Sequence, residues 1–201
     1  MKYLLTTLIS LYIGLVQASV ITDKEAPNFA LMDSFGKTVS LSDFSGKNVV
    51  LEWTNHDCPF VAKHYKTGNM QSTQTYAQEN DAIWLTIISS APGTQGYVLS
   101  AKANELTASR NALPRHVLFD PEGNVGLTYG AKTTPHMYII DAKGTLRYQG
   151  AIDDAGGRGF NLKNLLEADN YVKNALKEIQ NNENITTKVS KPYGCSVKYK
   201  S

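Results

Sequence analysis

The sequence predicts an α/β fold, a three-layer sandwich with a mixed central sheet, an N-terminal hairpin and flanking helices. Three observations predict it. Two largely apolar runs, Val49–Trp53 and residues 82–88, read as parallel strands covered on both faces, because such strands lose the in-out alternation of a half-exposed sheet. A helical pattern follows each run, as a parallel crossover requires. An antiparallel hairpin and an amphipathic helix then complete the order strand, helix, strand, hairpin, helix, which folds as layers around a sheet.

The elements follow in order. Met1-Lys2, an apolar core from Leu4 to Val16 and the small-residue pattern Val16-Gln17-Ala18 describe a secretory signal peptide over 1–18. Cleavage after Ala18 leaves a domain over 19–182 and a tail over 183–201 carrying Cys195. Ala26-Pro27-Asn28-Phe29 leads into a short strand that turns at Phe35-Gly36-Lys37, and Thr38-Val39-Ser40-Leu41 alternates as the returning strand. Residues 42–47 read as a loop before the buried strand at 49. Residues 59–79 carry a helical pattern that Thr67-Gly68-Asn69 breaks or kinks. A polar helix is expected over 97–109, a short strand over 116–120 and a short helix between Pro121 and Gly130. The turn Ala142-Lys143-Gly144 joins the strands of the hairpin. Residues 153–160 form a glycine-rich loop. The last helix spans 162–181, with Leu165, Leu166, Tyr171, Val172, Ala175, Leu176 and Ile179 on its buried side.

Composition narrows the function. The chain has 201 residues and a formal charge of +2, with no block of Lys or Arg, so no nucleic-acid partner is expected. After removal of the leader no segment is apolar enough to span a bilayer. Export, to a periplasm or the extracellular space, places the two cysteines in an oxidising compartment where their single possible pairing, Cys58 with Cys195, persists.

Cys58 carries most of the chemistry. It stands between the strand at 49–53 and a helix opened by Pro59, a residue suited to the first helical position because it has no N–H to leave unpaired there. A sulfur at that junction faces free N–H groups and the positive end of the helix dipole, both of which favour the thiolate. An accessible thiolate is a nucleophile. A small, inert, buried cysteine is the other reading of the same junction.

The order Ala26-Pro27-Asn28-Phe29, Gly36-Lys37, Leu41-Ser42-Asp43-Phe44, Cys58-Pro59, and Thr133-Thr134-Pro135 ahead of the strand ending Ile139-Ile140-Asp141 resembles the redoxin branch of the thioredoxin fold. That branch is related to alkyl hydroperoxide reductase and the thiol-specific antioxidant proteins. The resemblance implies a cis Thr134-Pro135 bond beside the Cys58 sulfur, with the backbone before it pairing an extended substrate. Thr134, Pro135 and Pro59 are then substrate-binding residues and Cys58 is the nucleophile. The resemblance also has departures. Val61 replaces the second cysteine of a thioredoxin, so no local dithiol forms. Asn55 stands where peroxiredoxins place a threonine, and Pro135-His136 stands near where their arginine lies. Tyr193-Gly194-Cys195, on a flexible arm, offers a distant sulfur able to resolve a sulfenic acid or mixed disulfide on Cys58. The implied activity is an exported thiol–disulfide oxidoreductase or antioxidant. It acts on a disulfide-bearing protein or a peroxide, is re-reduced by a donor the sequence leaves open, and needs no cofactor.

Two alternatives stand beside it. A permanent Cys58–Cys195 clamp in a non-catalytic binding module would stabilise the fold by about 4–5 kcal/mol in the chain-entropy account. His56, Cys58 and His64 make a copper set only in outline, since a second local cysteine is missing, and no metal site is expected. His136 reads equally as a groove or a packed residue. Asp153, Asp154 and Glu167 read as solvated charge, and Gly156-Gly157-Arg158-Gly159 follows no strand-to-helix turn of the phosphate-binding kind.

Overall fold

A computed structural model describes residues 20–156, 165 and 167–200. The leader at 1–18, the glycine-rich loop beyond Gly156, the start of the last helix at 162 and Leu166 lie outside the described residues. In chain order the strands are β1 (Ala30–Asp33), β2 (Thr38–Ser40), β3 (Val49–Trp53), β4 (Ile83–Ile88), β5 (His116–Phe119), β6 (Thr133–Thr134), β7 (His136–Ile140), β8 (Leu146–Gly150) and β9 (Cys195–Ser196). The helices are α1 (Pro59–Lys66), α2 (Asn69–Glu79), α3 (Ser100–Ser109), α4 (Asn124–Tyr129) and α5 (Tyr171–Gln180). A 3₁₀ turn at Leu41–Phe44 occupies the start of the loop expected after β2.

Seven strands form one mixed sheet in the order β2-β1-β5-β4-β3-β7-β8. The two apolar runs are its parallel centre: β3 pairs with β4 from Val49↔Ile83 to Trp53↔Ile87, and β4 continues parallel into β5. β7 and β8 add the antiparallel side. Alternate residues of β3 feed two cores. Val49, Leu51 and Trp53 pack with Phe29, Tyr129 and Tyr138 on one face, while Val50 joins Val61, Met70, Trp84, Val172 and Leu176 on the other. Helices α1, α2 and α5 thus cover one face and α4 the opposite one, as the three-layer prediction requires.

Glu52, also on β3, points into the second core and is fully buried. It survives there because Tyr65 Oη, Trp84 Nε1 and Thr86 Oγ1 all donate to its carboxylate at 2.9–3.2 Å. Burial nonetheless pushes its pKa up, against those hydrogen bonds and the Arg110 charge.

Two boundaries differ from expectation. The helix expected over 97–109 begins at Ser100. The last helix reads as continuous over 162–181 by apolar spacing; Leu165 is helical, but residues 167–170 interrupt the helix and α5 opens at Tyr171. The reason is the cap: Asn170 Oδ1 accepts the Lys173 N–H at 3.0 Å, while its Nδ2 donates to Thr73 Oγ1 at 2.9 Å and ties α5 to α2. Asn170→Ala is therefore expected to lower stability by about 1–2 kcal/mol in urea unfolding. A loss under about 0.3 kcal/mol would show that the cap is redundant.

Candidate active site

Cys58 is the residue before α1, with Pro59 as the first helical residue. The turn that delivers it is built by Asn55, whose Oδ1 accepts the Asp57 N–H at 2.9 Å and whose carbonyl accepts the Cys58 N–H at 3.0 Å. This Asx turn is what an asparagine does well in a strand-to-helix loop. Asn55 Nδ2 donates to Gln95 O, so the side chain braces the loop. Pro59 is exposed.

Thr134 and Pro135 form the wall facing the sulfur. Their peptide bond is cis. As a thiol, Cys58 Sγ donates to Thr134 O at 3.1 Å. His136 follows and is packed: its Nδ1 accepts from Lys132 N and meets Tyr138 Oη, each at 3.2 Å, and its ring lies 4.6 Å from that of Tyr138. Of the two readings of His136, the packed one is what the structure shows.

The tail lies along that wall. β9 pairs antiparallel with β6, Thr134 opposite Cys195 and Thr133 opposite Ser196. The Cys195 N–H donates to Cys58 Sγ at 3.4 Å. Thr134 Oγ1 donates to Cys195 O at 3.4 Å, and Val197 N donates to Lys132 O at 3.1 Å. Gly194 makes the approach possible. Its φ is +144°, and a Cβ there would overlap Thr134 O and lie 2.7 Å from the Thr134 carbonyl carbon. Beyond β9, Ala91 N donates to Lys198 O at 2.8 Å and Tyr199 Oη to Ala131 O at 2.7 Å.

Two expectations are corrected here. The tail is not a loose arm among the described residues, because main-chain pairing and two tyrosines fasten it. Cys58 is not accessible: its exposure is 0 %, it packs into the second core, and the tail lies against it through the Cys195 N–H.

Both cysteines are free thiols. Their environments push them apart. Burial acts to raise the Cys58 pKa, but hydrogen bonds from the Cys195 thiol, the Val61 N–H, Thr134 and the Cys195 N–H outweigh it and hold the value below that of an ordinary thiol. Cys195 is pushed up to about 11 by burial, by donating to Cys58 and by the charge on that sulfur, with Lys198 opposing. One sulfur is poised to carry the charge and the other to keep its proton.

Upstream of Cys195, Tyr193 fills a pocket of Phe60, Lys63, His64 and Asp153. Its hydroxyl donates to Asp153 Oδ1 and lies 3.0 Å from His64 Nε2. Asn69 Nδ2 donates to Asp153 Oδ2 at 3.0 Å and to His64 Nδ1 at 2.8 Å. The donors close consistently on one tautomer: Nδ1 accepts from Asn69, Nε2–H donates to the phenol oxygen, and the phenol donates to the carboxylate. Burial, then the Lys63 charge, takes the His64 pKa down to about 3, and burial raises that of Asp153 against several hydrogen bonds. Asp153 is thus not the solvated charge read from the sequence. Its partners arrive from α1, α2 and the tail, and local composition shows none of them. A tyrosine and a glycine beside a cysteine in a polar tail are the available signal. With both ring nitrogens of His64 engaged, the outline copper set has no free imidazole there. His56 lies 3.2 Å from Asp57 Oδ1 in the loop.

The comparisons agree with this architecture. The sequence model of the AhpC/TSA family matches residues 22–149. A thioredoxin peroxidase of Fasciola hepatica is 29% identical over 142 residues, covering 66% of this chain and 72% of that protein. The thiol-disulfide oxidoreductase ResA of Bacillus subtilis (strain 168) is 30% identical over 118 residues, 53% of this chain and 66% of its own length. Among solved structures, a hypothetical protein from Sinorhizobium meliloti 1021 superposes with a TM-score of 0.77 at 20% identity, covering 92% of this chain and 97% of that one. With the thioredoxin-like sheet, the Cys-Pro junction and a family match over most of the sheet-forming sequence, the chain belongs to the AhpC/TSA family.

Proposed function

We propose that this protein is an exported thiol–disulfide oxidoreductase in which Cys58 is the nucleophile, Cys195 the resolving cysteine, and Thr134 and Pro135 the wall that aligns an extended substrate. The observation that carries this reading is the pairing of Thr134 with Cys195, which sets a second thiol against the sulfur favoured to ionise. The Cys58 thiolate attacks a substrate disulfide, forms a mixed disulfide and releases the first substrate thiolate. Cys195 then loses its proton and attacks the Cys58 sulfur, forming Cys58–Cys195 and releasing the second substrate thiolate. The substrate gains the two electrons that the cysteine pair loses, and a thiol donor returns the pair to the reduced state. Disulfides are favoured over peroxides because Asn55, three residues before Cys58, braces the loop through Asp57 N and Gln95 O. The leader pattern over 1–18 supports export.

Trapping the thiols tests the reading. Oxidised glutathione is expected to take wild type from two free thiols to none with no glutathione attached, whereas Cys195→Ser stops at a stable glutathione adduct on Cys58. The potential of the pair separates exchange from a structural staple: a value above about −300 mV is expected for exchange. A potential well below that, with no adduct on Cys195→Ser, would leave only the staple.

A further inference from the structure

The pocket of Phe60, Lys63, His64 and Asp153 lies beside the reactive sulfur and has no part in the exchange chemistry. We propose that it is a recognition subsite for a tyrosine two residues before the cysteine that exchanges with Cys58, so that the site selects Tyr-Gly-Cys segments bent at the glycine, with the chain's own tail as its resident ligand. The inference rests on the assignment of Cys58 as the exchanging thiol.

Three observations carry it. The first is the division of labour in the tail. Main-chain pairing to Thr133 and Thr134 holds a strand of any sequence, so discrimination falls to side-chain pockets. Tyr193 stands two residues before Cys195, across the bend at Gly194: its ring fills the pocket while Cys195 meets Cys58.

The second is the chemistry of the pocket. A phenol supplies a donor to the Asp153 carboxylate and an acceptor for His64 in one atom. Both are buried, with side-chain exposures of 1 % and 0 %, so removing the hydroxyl leaves each short of a partner inside the protein. The ring is held separately, edge-on to Phe60 at 6.0 Å and under the Lys63 ammonium at 5.3 Å. A phenylalanine keeps these ring contacts and loses the polar ones. Alanine loses both.

The third is the residue between them. The backbone at Gly194 passes so close to Thr134 O that a side chain is excluded, which extends the preference to glycine at the middle position. When the tail swings out, the vacated groove offers the same three demands to a segment of another chain.

The test uses the full-length chain carrying Tyr193→Ala and Cys195→Ser, which removes one of the tail's two tyrosine anchors and its thiol. Peptides Lys-Pro-Tyr-Gly-Cys-Ser-Val, and the versions with Phe or Ala for Tyr, are supplied as mixed disulfides with thionitrobenzoate. The Cys58 thiolate attacks the peptide sulfur, the new bond joins Cys58 to the peptide, and the thionitrobenzoate anion leaves with the electron pair, giving a coloured product. The tyrosine peptide is expected to react at least tenfold faster than the alanine peptide and several-fold faster than the phenylalanine peptide. Adding Asp153→Asn is expected to erase most of the tyrosine-over-phenylalanine preference. Equal rates for the three peptides would overturn the subsite while leaving Cys58 a working nucleophile. So would silence from all three when the small reagent dithiobis(nitrobenzoate) still reacts. Silence from the small reagent as well would instead overturn the exchange reading on which the subsite rests.

Discussion

Gly194→Ala is expected to raise the rate at which iodoacetamide alkylates Cys58 at pH 7 by about two orders of magnitude. In the docked state Cys58 is fully covered, so the reagent reaches it only when the tail lifts, and the observed rate follows the fraction of molecules with the tail undocked. Two costs fall on docking in the variant. An alanine at φ +144° is strained by about 1–3 kcal/mol, and its Cβ overlaps a backbone oxygen that has no rotamer by which to move aside. A loss of about 2.7 kcal/mol in docking is a hundredfold in the undocked population. The same change should weaken the formation of Cys58–Cys195, because the second sulfur spends less time against the first. The control is Gly144→Ala in the β7–β8 turn. Gly144 has φ +81°, and a Cβ at that position would meet nothing within 4 Å, so the substitution carries backbone strain without touching the tail. Time-resolved mass mapping of the Cys58 peptide reads both variants. A rise of less than fivefold in Gly194→Ala, or an equal rise in the Gly144 control, would show that something other than this close approach guards the sulfur.

The parts of this arrangement that sequence reveals are those set by local pattern. Val49–Trp53 has the bounds expected from its apolar run, and Gly68 separates α1 from α2 where the pattern predicts a break, adopting φ +77° that a side-chain-bearing residue resists. Pro59 marks the helix start for the same kind of reason, a missing N–H. What stays hidden depends on residues far apart in the chain. Asp153 in a glycine-rich stretch reads as solvated, and donors from far along the chain, Asn69 on α2 and Tyr193 on the tail, make its burial tolerable. Apolar spacing carries the last helix through residues 167–170, which are not helical, because it outweighs the capping preference of Asn170, although the cap is legible. The tail reads as a loose arm because a two-residue strand paired to a two-residue strand has no periodicity to display.

Acid should weaken the fold in part through His136, the residue that carries the Thr134-Pro135 wall into β7. Burial, assisted by the Lys132 charge, takes its pKa from the ordinary 6.5 down to about 3. Between those two values the unfolded chain binds a proton that the native protein refuses, so stability falls as pH falls, by about 1.4 kcal/mol per pH unit. From pH 6.5 to pH 4 the contribution sums to about 3 kcal/mol. Glu52 and Asp153, whose pKa values are raised, act in the opposite sense, because the native protein binds protons there that the unfolded chain has released. The total slope therefore does not isolate the histidine, but a difference does. In His136→Gln the carboxylates and His64 remain, and only the titration at 136 is gone. Urea unfolding of both proteins at pH 6.5, 5.5, 4.5 and 4 should show the advantage of wild type over the variant shrinking by about 3 kcal/mol across the series. A constant difference would mean that the folded protein accepts a proton at His136 as readily as the unfolded chain does. The ring would then have to leave Tyr138 and the Lys132 N–H without disturbing the strand, and the backbone that presents Thr134 to Cys58 would be far less tightly packed than these contacts imply.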